Sequence, residues 1–136
     1  MRDIETRTDI DLLLKNFYTQ AMCDPEIGYL FTEVAQLDLD EHLPVIGDFW
    51  DSLLLGAGNY QRHQRQPMLL HIKLHEKSPL YKSHFERWLE LFESTIDESF
   101  RGRNASNMKM RARAIANRFY GVISSLPPES SQDSGT

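Results

Sequence analysis

Apolar residues in this chain return every three or four positions and never alternate with polar ones over a strand's length, a pattern that fits only helices. Leu13, Leu14, Phe17, Tyr18 and Ala21 form one such stripe. Leu39, His42, Leu43, Ile46, Phe49, Trp50, Leu53 and Leu54 form a second, and Leu80, His84, Trp88, Leu91, Thr95 and Ile96 a third. Ala105, Met108, Ala112, Ile115, Phe119 and Val122 form the last.

The punctuation between stripes sets the boundaries. Thr8, with Asp11 three residues on, reads as a capping box that opens the first helix. Asp24-Pro25 closes it and opens a short element bearing Ile27, Leu30 and Phe31. Asp38 caps the next helix, with Pro44 expected in its first turn, where proline is tolerated, and Gly47 suited to close packing on the first helix. Gly56-Ala57-Gly58 ends that helix, and Pro67 starts a brief one from Met68 to about Leu74. Ser78-Pro79 announces the long helix, Gly102 breaks it, and Pro127-Pro128 stop the last. The spacing predicts an all-α domain of five or six unequal helices over 1–126, then a disordered Ser/Asp/Gly-rich tail at 127–136.

Composition removes several classes. With 40% hydrophobic and 26% charged residues in 136, the chain suits one globular domain and not a wholly disordered one. No apolar run approaches the ~18 residues of a membrane helix, and Met1-Arg2-Asp3-Ile4-Glu5 lacks a signal-peptide core. A net charge of −5 argues against nucleic acid or an anionic membrane as the main partner, since both reward dense Lys/Arg. The basic stretch Arg101, Arg103, Lys109, Arg111, Arg113 and Arg118 reads as a solvated helix face. Cys23 is the only cysteine, so no internal disulfide forms and a reducing cytoplasm is the expected compartment. Five histidines, seven phenylalanines and two tryptophans in a small acidic chain suggest that it holds something.

Several of these residues admit two readings. His42 shares the apolar face of its helix with Leu39, Ile46, Phe49 and Trp50, as a hydrogen-bonded core residue or as a polar gate inside a pocket. The Tyr18 hydroxyl either meets a backbone carbonyl or is aimed at a ligand; left unpaired in the core it would cost about 1–3 kcal/mol. Trp88 poses the same choice, its indole N–H being a donor only. His71 and His75 are four apart on one helix face, a spacing that can bind a metal, but no His-Glu-x-x-His string accompanies them. His63 lies in a polar stretch and reads as solvated. No Gly-rich phosphate loop, nucleophile elbow or Cys-pair knuckle is present, and without Cys-x-x-Cys-His any haem is held without thioether bonds.

Taken in order, five stretches resemble the group III (P-type) truncated haemoglobins. They are Phe17-Tyr18; Asp24-Pro25-Glu26-Ile27-Gly28-Tyr29-Leu30-Phe31; His42-Leu43-Pro44 with Asp48-Phe49-Trp50-Asp51-Ser52-Leu53-Leu54-Leu55-Gly56; Gln66-Pro67-Met68-Leu69-Leu70-His71 with His84-Phe85-Glu86-Arg87-Trp88-Leu89; and Arg113-Ala114-Ile115-Ala116. The likeness runs from about Ile10 to Leu126 and lacks the Gly-Gly motifs of the other truncated groups, as group III does.

The resemblance implies a two-over-two helical sandwich around haem b. It makes His71 the iron ligand, Tyr18 and Trp88 distal hydrogen-bond donors, and His42 the residue at the distal gate. Phe31, Ile46, Phe49 and Phe85 fall where family members line the porphyrin. One departure stands out: Tyr60 to Pro67 reads Gln-Arg-His-Gln-Arg-Gln between its ends, longer than the family's turn and without its glycine. His71 is the expected ligand because it follows Pro67 by four residues, with His75 and His84 as runners-up; His84 is also placed near a haem propionate.

A diatomic ligand on ferrous haem gains partial negative charge, which fixed donors stabilise. Two donors at Tyr18 and Trp88 predict slow O2 release, which suits NO/O2 or peroxide chemistry better than O2 transport. Such use needs a separate reductase, and the protein is expected to be a monomer or weak dimer. The competing readings are a haem-free helical interaction module and a non-haem metal site on His71 and His75.

Overall fold

In the computed structural model, which describes residues 1–57, 60–63 and 66–127, five α-helices follow one another: α1 Arg7–Met22, α2 Leu39–Leu54, α3 Pro67–Lys77, α4 Lys82–Ser99 and α5 Arg103–Ser124. No strand occurs among the described residues, as the helical periodicity requires. The tail expected at 127–136 lies, beyond Pro127, outside the described residues. α1 packs against α2, α4 against α5, and α1 crosses α4, so two helix pairs are laid one over the other. α3 rests on α5. The core they enclose is built on Ile10, Leu13, Leu14 and Phe17 of α1, Trp50 of α2, Phe92 and Ile96 of α4, and Met108 and Ala112 of α5.

The capping box that opens α1 is not Thr8 with Asp11. Thr6 is the N-cap, its hydroxyl accepting from the Asp9 N–H at 3.2 Å while the Asp9 carboxylate accepts from the Thr6 N–H at 3.1 Å. Two Thr-x-x-Asp pairs overlap here, and the earlier one prevails because Ile4 is fully buried, so the chain is ordered before Thr8 is reached. Asp11 instead takes Arg7 Nε at 2.8 Å on the exposed side.

Asp24 does cap, its carboxylate accepting from the N–H groups of Glu26 and Ile27 at 2.9 and 3.1 Å. The short helix expected there is a turn followed by a π-helical turn, Leu30–Val34, closed by the Ala35 N–H on the Leu30 carbonyl at 2.9 Å. Gly28 permits this path: a Cβ on it would stand 2.7 Å from the Met22 carbonyl oxygen.

Asp38 caps α2 as expected, accepting from the Asp40 and Glu41 N–H groups. Pro44, expected in the first turn, lies inside the helix, and its carbonyl accepts from Arg7 Nη2 at 3.2 Å. Gly47 gives α1 its close approach, since a Cβ there would meet Arg7 Nη2 at 2.6 Å. α4 begins at Lys82, after the Ser78-Pro79 that was expected to open it. Ser78 is the C-cap of α3, donating to Leu74, and Leu80 then enters the core before the new helix starts.

α5 is capped from far away. Gly102 has no side chain to offer and sits at φ +146°, a value that favours glycine. Asp3 lies over it and supplies both oxygens, accepting from the Asn104 and Ala105 N–H groups at 2.9 Å each. Asn104 Nδ2 donates to the Ile4 carbonyl at 2.7 Å, and the Arg101 N–H to the Arg2 carbonyl at 3.0 Å. The N-terminal segment is thereby stitched to the start of the last helix.

Candidate functional site

Tyr18, on the inner face of α1, is buried, and its hydroxyl lies 2.9 Å from Nε2 of His42 on α2. Burial pushes the phenol far above its ordinary pKa, so it stays a protonated donor. The Tyr18 hydroxyl is thus met by a side chain of the neighbouring helix, with the two rings edge to face at 5.0 Å. Phe31, in the π-helical turn, packs edge-on against Tyr18 at 6.0 Å. Ile46 and Phe49 follow His42 along the same side of α2, half-buried at the margin of the core.

Trp88 is placed by stacking. Its ring lies almost parallel to Phe92 at 5.0 Å, and Phe92 stacks in turn on Trp50 at 5.5 Å. Phe17 meets Phe92, Trp88 and Tyr18 edge-on, at 5.0, 5.7 and 5.0 Å, so one phenylalanine links the rings of both predicted donors. Sequence reading missed Phe92 and Trp50 as the pair that fixes Trp88. The i, i+4 spacing from Trp88 to Phe92 was the available signal.

On α3, His71 is half-buried, and its Nδ1–H donates to the Pro67 carbonyl at 2.8 Å. That bond fixes the tautomer and leaves the lone pair on Nε2. Burial pushes the imidazole below its ordinary pKa, against the opposing effect of the Pro67 carbonyl, which keeps it neutral near pH 7. Phe119 of α5 packs against the ring at 4.6 Å, and Tyr120 meets Phe85 at 5.9 Å. These two α5 residues were not singled out from the sequence, although Phe119 lies on the predicted stripe.

The other histidines are bonded differently. His75 Nδ1 accepts from the Leu80 N–H at 2.8 Å, and His84 Nδ1 accepts from the Tyr81 N–H at 3.0 Å. In each the proton sits on Nε2, and that of His84 faces the Tyr29 hydroxyl at 3.3 Å. His63, expected in solvent, is half-buried: its Nε2 lies 2.8 Å from Asp48, which also takes Arg7 Nη1 at 2.6 Å. A buried carboxylate on α2 draws the ring inward. Among the described residues no group of three or more histidine, cysteine or carboxylate side chains is placed to hold an ion.

The donor set fits haem. A porphyrin asks for one neutral imidazole with a free nitrogen and a wide apolar margin. His71 has the right tautomer, and Phe31, Ile46, Phe49 and Phe85 all stand partly buried at the edge of the core rather than inside it. Among the described residues no helix is long and apolar enough to cross a membrane.

Comparison with known proteins gives concordant matches. A family model described as bacterial-like globin matches residues 3–120. A group 3 truncated haemoglobin of Campylobacter jejuni is 30% identical over 114 residues, which cover 82% of this chain and 85% of that one. The crystal structure of a group III truncated haemoglobin from Campylobacter jejuni superposes with a TM-score of 0.76 at 28% identity, covering 90% of this chain and 95% of that one.

Proposed function

Since the chain belongs to the bacterial-like globin family, as a group III truncated haemoglobin that binds haem, we propose that it holds haem b through His71 and uses Tyr18, Trp88 and His42 to control a diatomic ligand for NO/O2 or peroxide chemistry. Haem supplies an iron that takes such a ligand and changes oxidation state. His71 holds it: the Pro67 carbonyl orients the ring and raises the basicity of Nε2. Phe31, Ile46, Phe49 and Phe85 exclude water around the ring edge.

The observation that carries the reading is the 2.9 Å contact between the Tyr18 hydroxyl and His42 Nε2. Two polar side chains from different helices meet inside the fold at this point, and in the haem-loaded protein we place them on the side where the ligand binds. The raised pKa of Tyr18 keeps its proton in place to donate to negative charge on a ligand oxygen. Trp88, fixed by Phe92, is a second donor of constant direction. His42 is the gate: to admit a ligand its ring must part from Tyr18, and that hydroxyl is then free to turn to the newcomer. Tight retention of this kind suits a reaction better than transport. The return of ferric iron to ferrous falls to a separate reductase, in a reducing cytoplasm, with the globin a monomer or weak dimer.

The test is O2 dissociation from the haem-loaded protein and its Tyr18→Phe, Trp88→Ala and doubly substituted forms. Loss of a donor worth about 1.5–3 kcal/mol should speed release roughly tenfold or more. Unchanged dissociation in the double variant sinks the proposal. NO consumption by the oxygenated protein with a reductant present, measured against peroxidase turnover, then separates the two chemistries.

A further inference from the structure

α5 carries five Lys/Arg residues and no Asp or Glu, in a chain whose net charge is −5. Two of the five are spent on the neighbouring helix: Lys109 reaches Asp97 at 2.7 Å and Arg113 reaches Glu93 at 2.9 Å, both on α4. The remaining three, Arg103, Arg111 and Arg118, are exposed, and among the described residues none meets a carboxylate. At 100° per residue they fall within about 80° of one another, on a stripe roughly 22 Å long. Met110, 63% exposed, lies beside them. A basic strip around an exposed methionine has the composition of a contact surface, where Arg and Met are enriched. It also stands out against an acidic body, and charge segregated in this way steers a partner of opposite sign.

We infer that this outer face of α5 is the docking surface for an acidic electron-carrier protein. The inference rests on the proposed function, which requires electrons from outside the chain. The helix itself gives the reason for the choice of partner. Its inner side presents Phe119 to His71, with ring centroids 4.6 Å apart. A carrier seated on the arginine strip, about a third of a turn round the helix from Phe119, is separated from the proposed iron ligand by about one helix diameter, ~10 Å. In the transfer, the carrier's reduced centre loses one electron and ferric iron gains it; no bond is made or broken. Encounters of this class are small and salt-sensitive, so three guanidiniums and one methionine are an adequate anchor.

The experiment uses the haem-loaded protein and a purified low-pI flavodoxin as the probe. Calorimetric titration is expected to show binding that weakens about tenfold or more between roughly 20 and 200 mM salt. The triple variant Arg103→Glu, Arg111→Glu, Arg118→Glu should lose at least tenfold in affinity, with the Soret band and helical content unchanged. A variant of equal charge change elsewhere, Lys15→Glu, Lys73→Glu, Lys82→Glu, should retain most of it. Equal loss in both variants, or no flavodoxin binding by haem-loaded protein, overturns the inference and leaves the haem reading intact. Preference of the wild type for phosphatidylserine vesicles over flavodoxin also overturns it. A preparation that takes up no haem overturns the haem reading and this inference together.

Discussion

The imidazole of His71 donates through Nδ1 to the carbonyl of Pro67 at 2.8 Å, in the first turn of the helix that carries both. The neutral ring therefore presents Nε2, the nitrogen an iron porphyrin needs, while the equivalent nitrogens of His75 and His84 carry protons because their Nδ1 atoms accept backbone N–H groups. Replacement of His71 by Ala should abolish stable haem retention, read as the Soret absorbance left after gel filtration. Replacement of His75 by Ala should leave it near wild type. The reverse result would assign the iron to His75.

His42 is expected to resist ligand entry, because its bond to Tyr18 has to part first. That bond is worth about 1 kcal/mol net, so His42→Leu should speed ligand association roughly fivefold. Flash photolysis of the CO complex measures it. A rate equal to or below that of the wild type would remove His42 from the gate.

Asp3 serves α5 as its N-cap from outside the helix, and Gly102 offers no substitute. Asp3→Ala should lower unfolding free energy by about 1–2 kcal/mol, the cost of losing a strong cap. Urea unfolding followed by far-UV dichroism is the measurement, and a change under a few tenths of that would show α5 to be capped otherwise.

Acid should weaken the contact between the turn after α1 and helix α4. The Arg87 guanidinium, donating to Asp24 from Nη2 at 2.7 Å and Nε at 3.0 Å, holds that carboxyl below the usual range; burial opposes this, and the Glu26 and Ile27 N–H groups assist it. A carboxyl depressed on folding stabilises fully above its unfolded pKa near 4 and loses that contribution as pH falls through its lower folded value. Asp24→Asn should therefore be less stable than wild type at pH 7, by about 2 kcal/mol given the partial exposure of Arg87. The gap should close as the pH is lowered below 4. A gap that stays constant with pH would assign the loss to packing instead.

The residues that speak locally were legible in the sequence. Asp38, Pro67 and Gly102 each mark a helix end through backbone chemistry confined to a few positions, and the structure puts ends there. Where two local signals competed, as at Thr6 and Thr8, the outcome turned on the burial of Ile4, which no short window reveals. His63 looked solvated because its partner Asp48 lies on another helix. The contact between Tyr18 and His42 was half visible: both residues were on the correct faces, but only the crossing of α1 over α2 makes them partners. Trp88 was found by its place in a pattern, and its direction came from Trp50, read only as part of an apolar stripe, and from Phe92, which no stripe included.

Asp3 and Asn104 are 101 residues apart, yet one completes the helix of the other. On a ribosome adding about 5–20 residues per second, Asp3 waits on the order of five to twenty seconds for the backbone it caps. Until then the segment before α1 is held only by its near neighbours, the Arg2 guanidinium and the Glu5 N–H on the Asp9 carboxylate. The globin body therefore closes late in synthesis, with its first segment acting as the fastener for its last.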